Sequence, residues 1–216
     1  MQRAFLLAVS LIWLAGCQLL PNQKADKHLY GAPQQLYALN MEHPLFRGKL
    51  TIEEACDSHN ISTTLWDEEN QFFRIDVLAA EGNPSLNSPP FISDAALLQL
   101  ALDTYTKDRS SSSPVVASIS PLYQHTYHNS VPLTLFAVVK LSVNSEAAKG
   151  FPPVSGDYYY GFLLFRQGGS IFVLQHRQPY YQVDKMERVL KAMLDAMSSP
   201  AEKRTKHRVK GKGCPF

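Results

Sequence analysis

After its first sixteen residues the chain has no apolar run long enough to cross a bilayer as a helix, which takes roughly 20 such residues. The body is therefore expected to be soluble and peripheral to any membrane. No Gly-rich phosphate cradle is present, and no Gly-x-Gly-x-x-Gly follows a strand-like segment, so the common nucleotide-binding signatures are excluded. The alternating Gly, Ser and Gly of a hydrolase elbow are missing too; Ser155-Gly156-Asp157 reads as a loop before a strand. Cysteine is scarce, with Cys17, Cys56 and Cys214 the whole supply. Cysteine catalysis needs a free thiol beside a base, and Cys56 with His59 is the one local pair. His125 and His128 stand three apart, a spacing seen among zinc ligands, but further ligands would have to come from elsewhere, such as His59 and Asp57. With 7 His in the chain such a pair arises easily, so no metal, no cofactor and no catalytic residues are expected. There is no internal repeat.

What is present begins at the N-terminus. Arg3 precedes an apolar stretch from Ala4 to Leu14 and the small residues Ala15 and Gly16, which is the layout of a secretory leader. Leu14-Ala15-Gly16-Cys17 resembles the lipobox of bacterial lipoproteins. That resemblance implies cleavage before Cys17 and lipidation of its thiol with a diacylglyceryl group. Each buried methylene contributes about 0.8 kcal/mol, so two or more acyl chains hold a protein to a bilayer almost permanently. Gln18 follows Cys17 where, in enteric bacteria, an Asp would resemble an inner-membrane retention signal, so the outer membrane facing the periplasm is the expected location.

Hydrophobic residues at 45% and charged residues at 19% belong to a folded globular chain. The net charge of +2 conceals a segregation. Lys203, Arg204, Lys206, Arg208, Lys210 and Lys212 stand against Glu202 in the C-terminal tail, which leaves the body acidic on balance. The basic tail has two readings, contact with an anionic lipid or envelope polysaccharide, or a solvated tail. Nucleic acid is excluded by export. Once Cys17 is acylated, Cys56 and Cys214 form an even pair in an oxidising compartment and read as a disulfide. Closing a loop of that length stabilises a fold by something on the order of 5 kcal/mol in the chain-entropy model.

Along the chain, residues 18–36 carry Pro21, Gly31, Pro33 and several Gln with few apolar anchors, and read as a tether between lipid and domain. Lys49–Ile52 is strand-like, and Ile61–Trp66 and Gln71–Leu78 form a hairpin around the polar Asp67-Glu68-Glu69-Asn70. After a breaker-rich loop, Ser93 stands as an N-cap with Leu97, Leu98, Ala101 and Tyr105 on one helical face. The strand-like runs Val115–Ile119 and Leu133–Val143 follow. Tyr158–Arg166 and Ile171–Arg177 flank Gly168-Gly169, whose freedom at positive φ suits a tight hairpin turn. Asp184 and Glu187 form a capping-box pattern, and Met186, Val189, Leu190, Met193, Leu194 and Met197 mark an apolar stripe.

The expected division is a leader over 1–16, a lipidated tether over 17–36, a single α+β domain over 37–200 and a basic tail over 201–216. The fold class is an antiparallel β-sheet covered by two main helices, about 93–108 and 184–198. That order of elements is similar to the PsbP/Mog1-like sandwiches, a resemblance of layout that implies a fold and no activity.

Tyr158, Tyr159, Tyr160, Tyr180 and Tyr181 cluster around the ends of the last hairpin. Tyrosines offer rigid contact area with a polar tip, so Tyr158, Tyr160, Tyr180 and Tyr181 are candidates for partner contact, against the plainer reading that they fill the core or cover the sheet. The functional expectation is a non-catalytic binding or assembly module for another envelope protein. The alternatives are a carrier of a small apolar ligand in a pocket lined by residues such as Phe136, Phe162 and Met193, and an envelope hydrolase, for which no converging polar groups are visible.

Overall fold

The computed structural model describes residues 29–56, 59–69, 71–79, 92–112, 116–130, 132–143, 157–198 and 209–210. Its centre is an eight-stranded sheet built from β3 (Thr51–Cys56), β4 (Asn60–Trp66), β5 (Phe72–Ala79), β6 (Val116–Tyr127), β7 (Thr134–Val143), β8 (Tyr158–Gln167), β9 (Ser170–Gln178) and β11 (Val209–Lys210). The spatial order is β11-β3-β4-β5-β9-β8-β7-β6. Every pairing is antiparallel except that of β11 with β3. A small second sheet joins β1 (Leu29–Gly31), β2 (Ala38–Asn40) and β10 (Met197–Ser198). Two helices complete the fold, α1 (Asp94–Ser112) and α2 (Val183–Ala196). Among the described residues no helix is long and apolar enough to cross a membrane.

Local chemistry explains the turns. Asp67 Oδ1 accepts the backbone N–H of Glu69 at 3.0 Å and of Gln71 at 2.9 Å, closing the turn between β4 and β5. Between β8 and β9 it is Gly168 that takes the positive φ, 60°. Ser93 caps α1, its Oγ accepting the N–H of Ala96 at 3.3 Å.

Strand alternation sends successive side chains to opposite faces of the sheet, and each face meets a different helix. Phe73, Ile75, Phe136, Leu163, Phe172 and Leu174 point to one side, where Met186, Leu190, Met193 and Ala196 of α2 close over them. Ala137, Val139, Phe162, Leu164, Ile171 and Val173 point to the other, against Leu97, Leu98, Ala101 and Leu102 of α1. The α2 stripe expected from its spacing therefore faces the core. The helix lies so close that a Cβ on Gly161 would come within 3.0 Å of Leu190 Cδ1 and 3.2 Å of Met186 Cβ.

Several boundaries differ from the sequence reading. The segment expected to be a tether as far as residue 36 already contains β1, and Tyr30 and Ala32 are buried. Its polar atoms are matched: the Tyr30 hydroxyl donates to Glu54 at 2.6 Å, and that of the adjoining Tyr37 to Thr63 at 2.7 Å. Few apolar anchors suffice when each is an aromatic ring with its own buried partner. In the stretch taken as tail, Val209–Lys210 pairs with Ile52–Glu53. The α1 helix runs on to Ser112, and β6 continues through Pro121 to Tyr127 by shifting register beside it. The capping box is not formed. The α2 helix starts one residue before Asp184, its cap position is Gln182 without a side-chain bond, and Glu187 turns away to accept from Tyr127 Oη and from Lys191 Nζ, the latter at 2.5 Å.

Candidate functional site

At one end of the sheet, where β5 begins and β9 finishes, lies a cleft of about 860 Å³. Its walls come from Pro44, Leu45 and Arg47 of the loop after β2, from Glu69 and Gln71 of the β4–β5 turn, from the start of α2 (Gln182, Lys185, Val189), and from the strand ends themselves. Because strand residues alternate, Phe72, Tyr158 and Arg177 reach the cleft from the α1 side of the sheet, and His176 and Gln178 from the α2 side.

Arg177 is the central cation. Its Cζ lies 5.1 Å from the centroid of Tyr158, 5.3 Å from Phe72 and 5.7 Å from Trp66. Trp66 and Phe72 are directly opposed cross-strand partners and meet edge to face at 5.0 Å, which fixes two of these rings before Arg177 is added. A guanidinium framed by aromatic rings gains about 0.5–2 kcal/mol, depending on how far it is desolvated, and is held in one orientation. No carboxylate among the described residues pairs with it. Arg47, on the opposite wall, does pair, with Glu69 at 3.1 Å, and Lys185 adds a further cation. The balance of the cleft is positive on a body whose balance is negative.

His176 sits behind Arg177 and is buried. Its Nδ1 is 3.0 Å from the carbonyl oxygen of Phe72, and a carbonyl can only accept, so Nδ1 carries the proton. Nε2 then accepts from the Gln178 side-chain amide, also at 3.0 Å. The ring stacks on Phe73 at 5.2 Å. Burial pushes its pKa below the usual histidine range, the Phe72 bond opposes that shift, and Lys185 and Arg177 add to it. With both nitrogens engaged in holding the β5–β9 end together, this imidazole is a structural group and not a free base. None of the described residues lining the cleft is a serine, threonine or cysteine, and the one acid among them, Glu69, is tied to Arg47.

A search of solved structures finds chains of similar shape at low identity. The structure of PsbP (CyanoP) from Synechocystis sp. PCC 6803 aligns over 79% of this chain and 91% of its own, with a TM-score of 0.51 at 7% identity. The chain shares the fold of PsbP. A protein from Bacteroides thetaiotaomicron aligns over 81% of this chain and 49% of its own (TM-score 0.44, 11% identity). The Ran-binding protein Mog1p of Saccharomyces cerevisiae aligns over 67% and 81% (TM-score 0.40, 13% identity). No protein-family model and no curated protein matches the chain.

Within this PsbP-like architecture the tyrosines singled out from sequence fall into two groups. Tyr158 and Tyr180 line the cleft, and Tyr180 is 71% exposed. Tyr160 packs between Phe72 and Phe162, and Tyr181 leans on Tyr159 at 5.6 Å beside the cleft. Cys56 ends β3 and is disulfide-bonded. Cys17, Cys214, Lys203, Arg204, Lys206, Arg208 and Lys212 lie outside the described residues, and of the basic tail only Lys210 is placed, within β11. His125 ends up on the edge strand against Tyr127, and no group of three metal-ligating side chains forms among the described residues. The residues named for a carrier pocket do not line one cavity, since Phe136 and Met193 belong to the α2 side of the sheet and Phe162 to the α1 side.

The sequence reading missed Arg177, Lys185, Trp66 and Phe72. A signal for the first was available: a turn at Gly168-Gly169 fixes the register that sets Arg177 opposite Tyr160. Nothing local places β5 beside β9.

Proposed function

We propose that the protein is a lipid-anchored, non-catalytic binding module of the bacterial cell envelope, and that the cleft beside Arg177 seats its partner. The observation that carries the binding role is the guanidinium of Arg177, oriented by three rings, lining a cleft of about 860 Å³ and lacking a carboxylate of its own among the described residues. A side chain held this firmly toward a cavity is prepared to receive an acceptor, whereas the same cavity offers no nucleophile with a base in reach. The anchoring half of the reading rests on Leu14-Ala15-Gly16-Cys17: acyl chains on Cys17 hold the domain at the membrane, the outer membrane on the strength of Gln18. A bridge from Cys56 to Cys214 ties the tail to the end of β3, which the parallel pairing of Val209–Lys210 supports, because it carries the chain toward Cys56. The natural contact of the basic residues that precede Cys214 is anionic lipid or polysaccharide.

Two measurements test the proposal. Mass spectrometry of the mature N-terminal peptide is expected to find a cleaved chain beginning at Cys17 and carrying acyl groups; an unmodified peptide overturns the anchoring. Affinity capture of the full-length tagged protein from detergent-solubilised envelopes is expected to recover a stoichiometric protein that Arg177→Gln fails to recover. Equal recovery by both proteins removes the cleft from the interaction, and no partner at all removes the assembly role.

A further inference from the structure

From the same cleft we infer the chemistry of the occupant: an extended acidic segment of a partner protein, one of whose carboxylates docks on the Arg177 guanidinium. The inference rests on the binding reading above and narrows it. Three observations point the same way. First, Arg177 presents a planar fork of N–H donors, the shape that matches a carboxylate through two parallel bonds. The rings of Tyr158, Phe72 and Trp66 lie within 5.1–5.7 Å of its Cζ and hold the group at the cleft. Second, Lys185 at the start of α2 is a further cation without a pairing carboxylate among the described residues, and Arg47 cancels the charge of Glu69, so the cleft is left positive on balance. Lys185 and Arg177 lie near enough to His176 for both to disfavour its protonation. A chain carrying spaced acidic residues meets these cations in turn, whereas a lone small anion satisfies only one.

Third, the neutral part of the lining has the character of a peptide-binding wall. Gln182 contributes an exposed side-chain amide, which both donates to and accepts from a backbone, Gln71 and Gln178 hold neighbouring side chains in the wall, and Pro44, Leu45, Phe72 and Val189 contribute apolar surface between them. Tyr180, exposed at the rim, is free to close over a bound side chain. The volume of about 860 Å³ is that of a few amino-acid residues and not of a folded partner. The partner is therefore read through a short segment.

The test uses the mature acylated protein in detergent micelles and a fluorescein-labelled decapeptide of alternating Asp or Glu with Phe and Ala, followed by fluorescence anisotropy. Control arms are the same peptide with Asn and Gln in place of the acids, polygalacturonate as an acidic polysaccharide, and vesicles of anionic phosphatidylglycerol. The acidic peptide is expected to bind, and the neutral one to bind at least about tenfold more weakly. Arg177→Gln is expected to weaken the acidic peptide by roughly thirtyfold or more, with little rescue in Arg177→Lys, which restores charge without the planar fork. Lys185→Glu, at an exposed site that leaves folding unchanged, is expected to weaken it by a smaller factor and to reduce its dependence on salt. Equal binding of acidic and neutral peptides overturns the inference, as does wild-type affinity in Arg177→Gln, or no binding of either peptide by a protein that binds polygalacturonate or phosphatidylglycerol. If envelope capture still yields an Arg177-dependent partner while the acidic peptide is ignored, the acidic chemistry fails and the binding module stands. If capture yields no partner, the module itself fails whatever the peptide does.

Discussion

The two faces of the sheet are fastened in different ways. Under α2 itself the contact is apolar interdigitation, close enough that a Cβ at position 161 would press on Leu190 and Met186. Under α1 half the contact is equally apolar, but toward the cleft it gives way to a polar knot around Asp76. That buried carboxylate accepts from Arg74 Nε at 2.9 and 3.0 Å, from Tyr105 Oη at 2.6 Å, and from Ser62 Oγ and Gln175 Nε2. The donors come from β4, β5, β9 and α1, so one side chain ties three neighbouring strands to a helix. Burial alone would lower the pKa of Arg74, but Asp76 together with Tyr105 and Tyr160 raises it. Apolar packing tolerates small slips, whereas a knot of directed bonds fixes register. The directed fastening lies on the strand that leads into the cleft, where Phe72 and Arg177 must be held in place.

Removing the centre of the knot is the strongest way to test this contrast. Asp76→Asn keeps the volume but replaces an acceptor oxygen with a donor, confronting Arg74, Tyr105 and Gln175 with a group that cannot serve them all. A loss of about 3–5 kcal/mol is expected in denaturant unfolding, the usual effect of breaking a buried ion pair from one side. A loss under about 1 kcal/mol would show that the knot is ornamental and the two faces alike. On the apolar face Leu190→Ala, at a residue with no exposure, is expected to cost about 2–5 kcal/mol through lost burial and a residual cavity.

How much of this was legible in the sequence depends on distance along the chain. The β8–β9 hairpin could be read because Gly168 and Gly169 are adjacent and the flanking strands are apolar, and the α2 stripe because its period is local. The Ser93 cap was legible for the same reason. Tyr30 was not, because its partner Glu54 lies on β3 and makes buried what composition alone presents as tether. The candidate site was half legible. Tyr158 and Tyr180 were singled out as a cluster of tyrosines, yet what makes the cluster a site is Arg177 meeting Phe72 and Trp66 across the β5–β9 pairing, which joins segments about a hundred residues apart. Nothing near Asp76 in the sequence marks it as the centre of the knot, since its donors Tyr105 and Gln175 come from α1 and β9.

A smaller effect is expected where the apolar face is tightest. Gly161→Val places two methyl groups against Leu190 and Met186, and since α2 already touches the sheet there, the helix must move outward. A loss of about 1–3 kcal/mol follows from overpacking. If α2 yields freely the loss will be negligible, and the α2 face will prove the looser of the two.

The mildest test separates the faces by pH. His176 reaches the α2 side, with its pKa held below the usual histidine range, chiefly by burial. The charged groups that bear on it are Lys185 and Arg177, which disfavour its proton, and Asp67, which favours it. Because the unfolded chain binds this proton more readily than the folded one, the folded state keeps its full stability above about pH 6.5 and loses part of it as pH falls below that value. His176→Asn removes the titration while retaining an amide near the Phe72 carbonyl. The variant is expected to be less stable at pH 7 by about 1 kcal/mol, for a weakened hydrogen bond and lost stacking on Phe73, yet to show a flatter decline between pH 7 and pH 5. The remaining histidines titrate equally in both proteins, so the difference between the two denaturation-midpoint curves isolates His176. Parallel curves would mean that the imidazole takes up its proton in the fold as easily as out of it, and that this end of the β5–β9 seam is open to water.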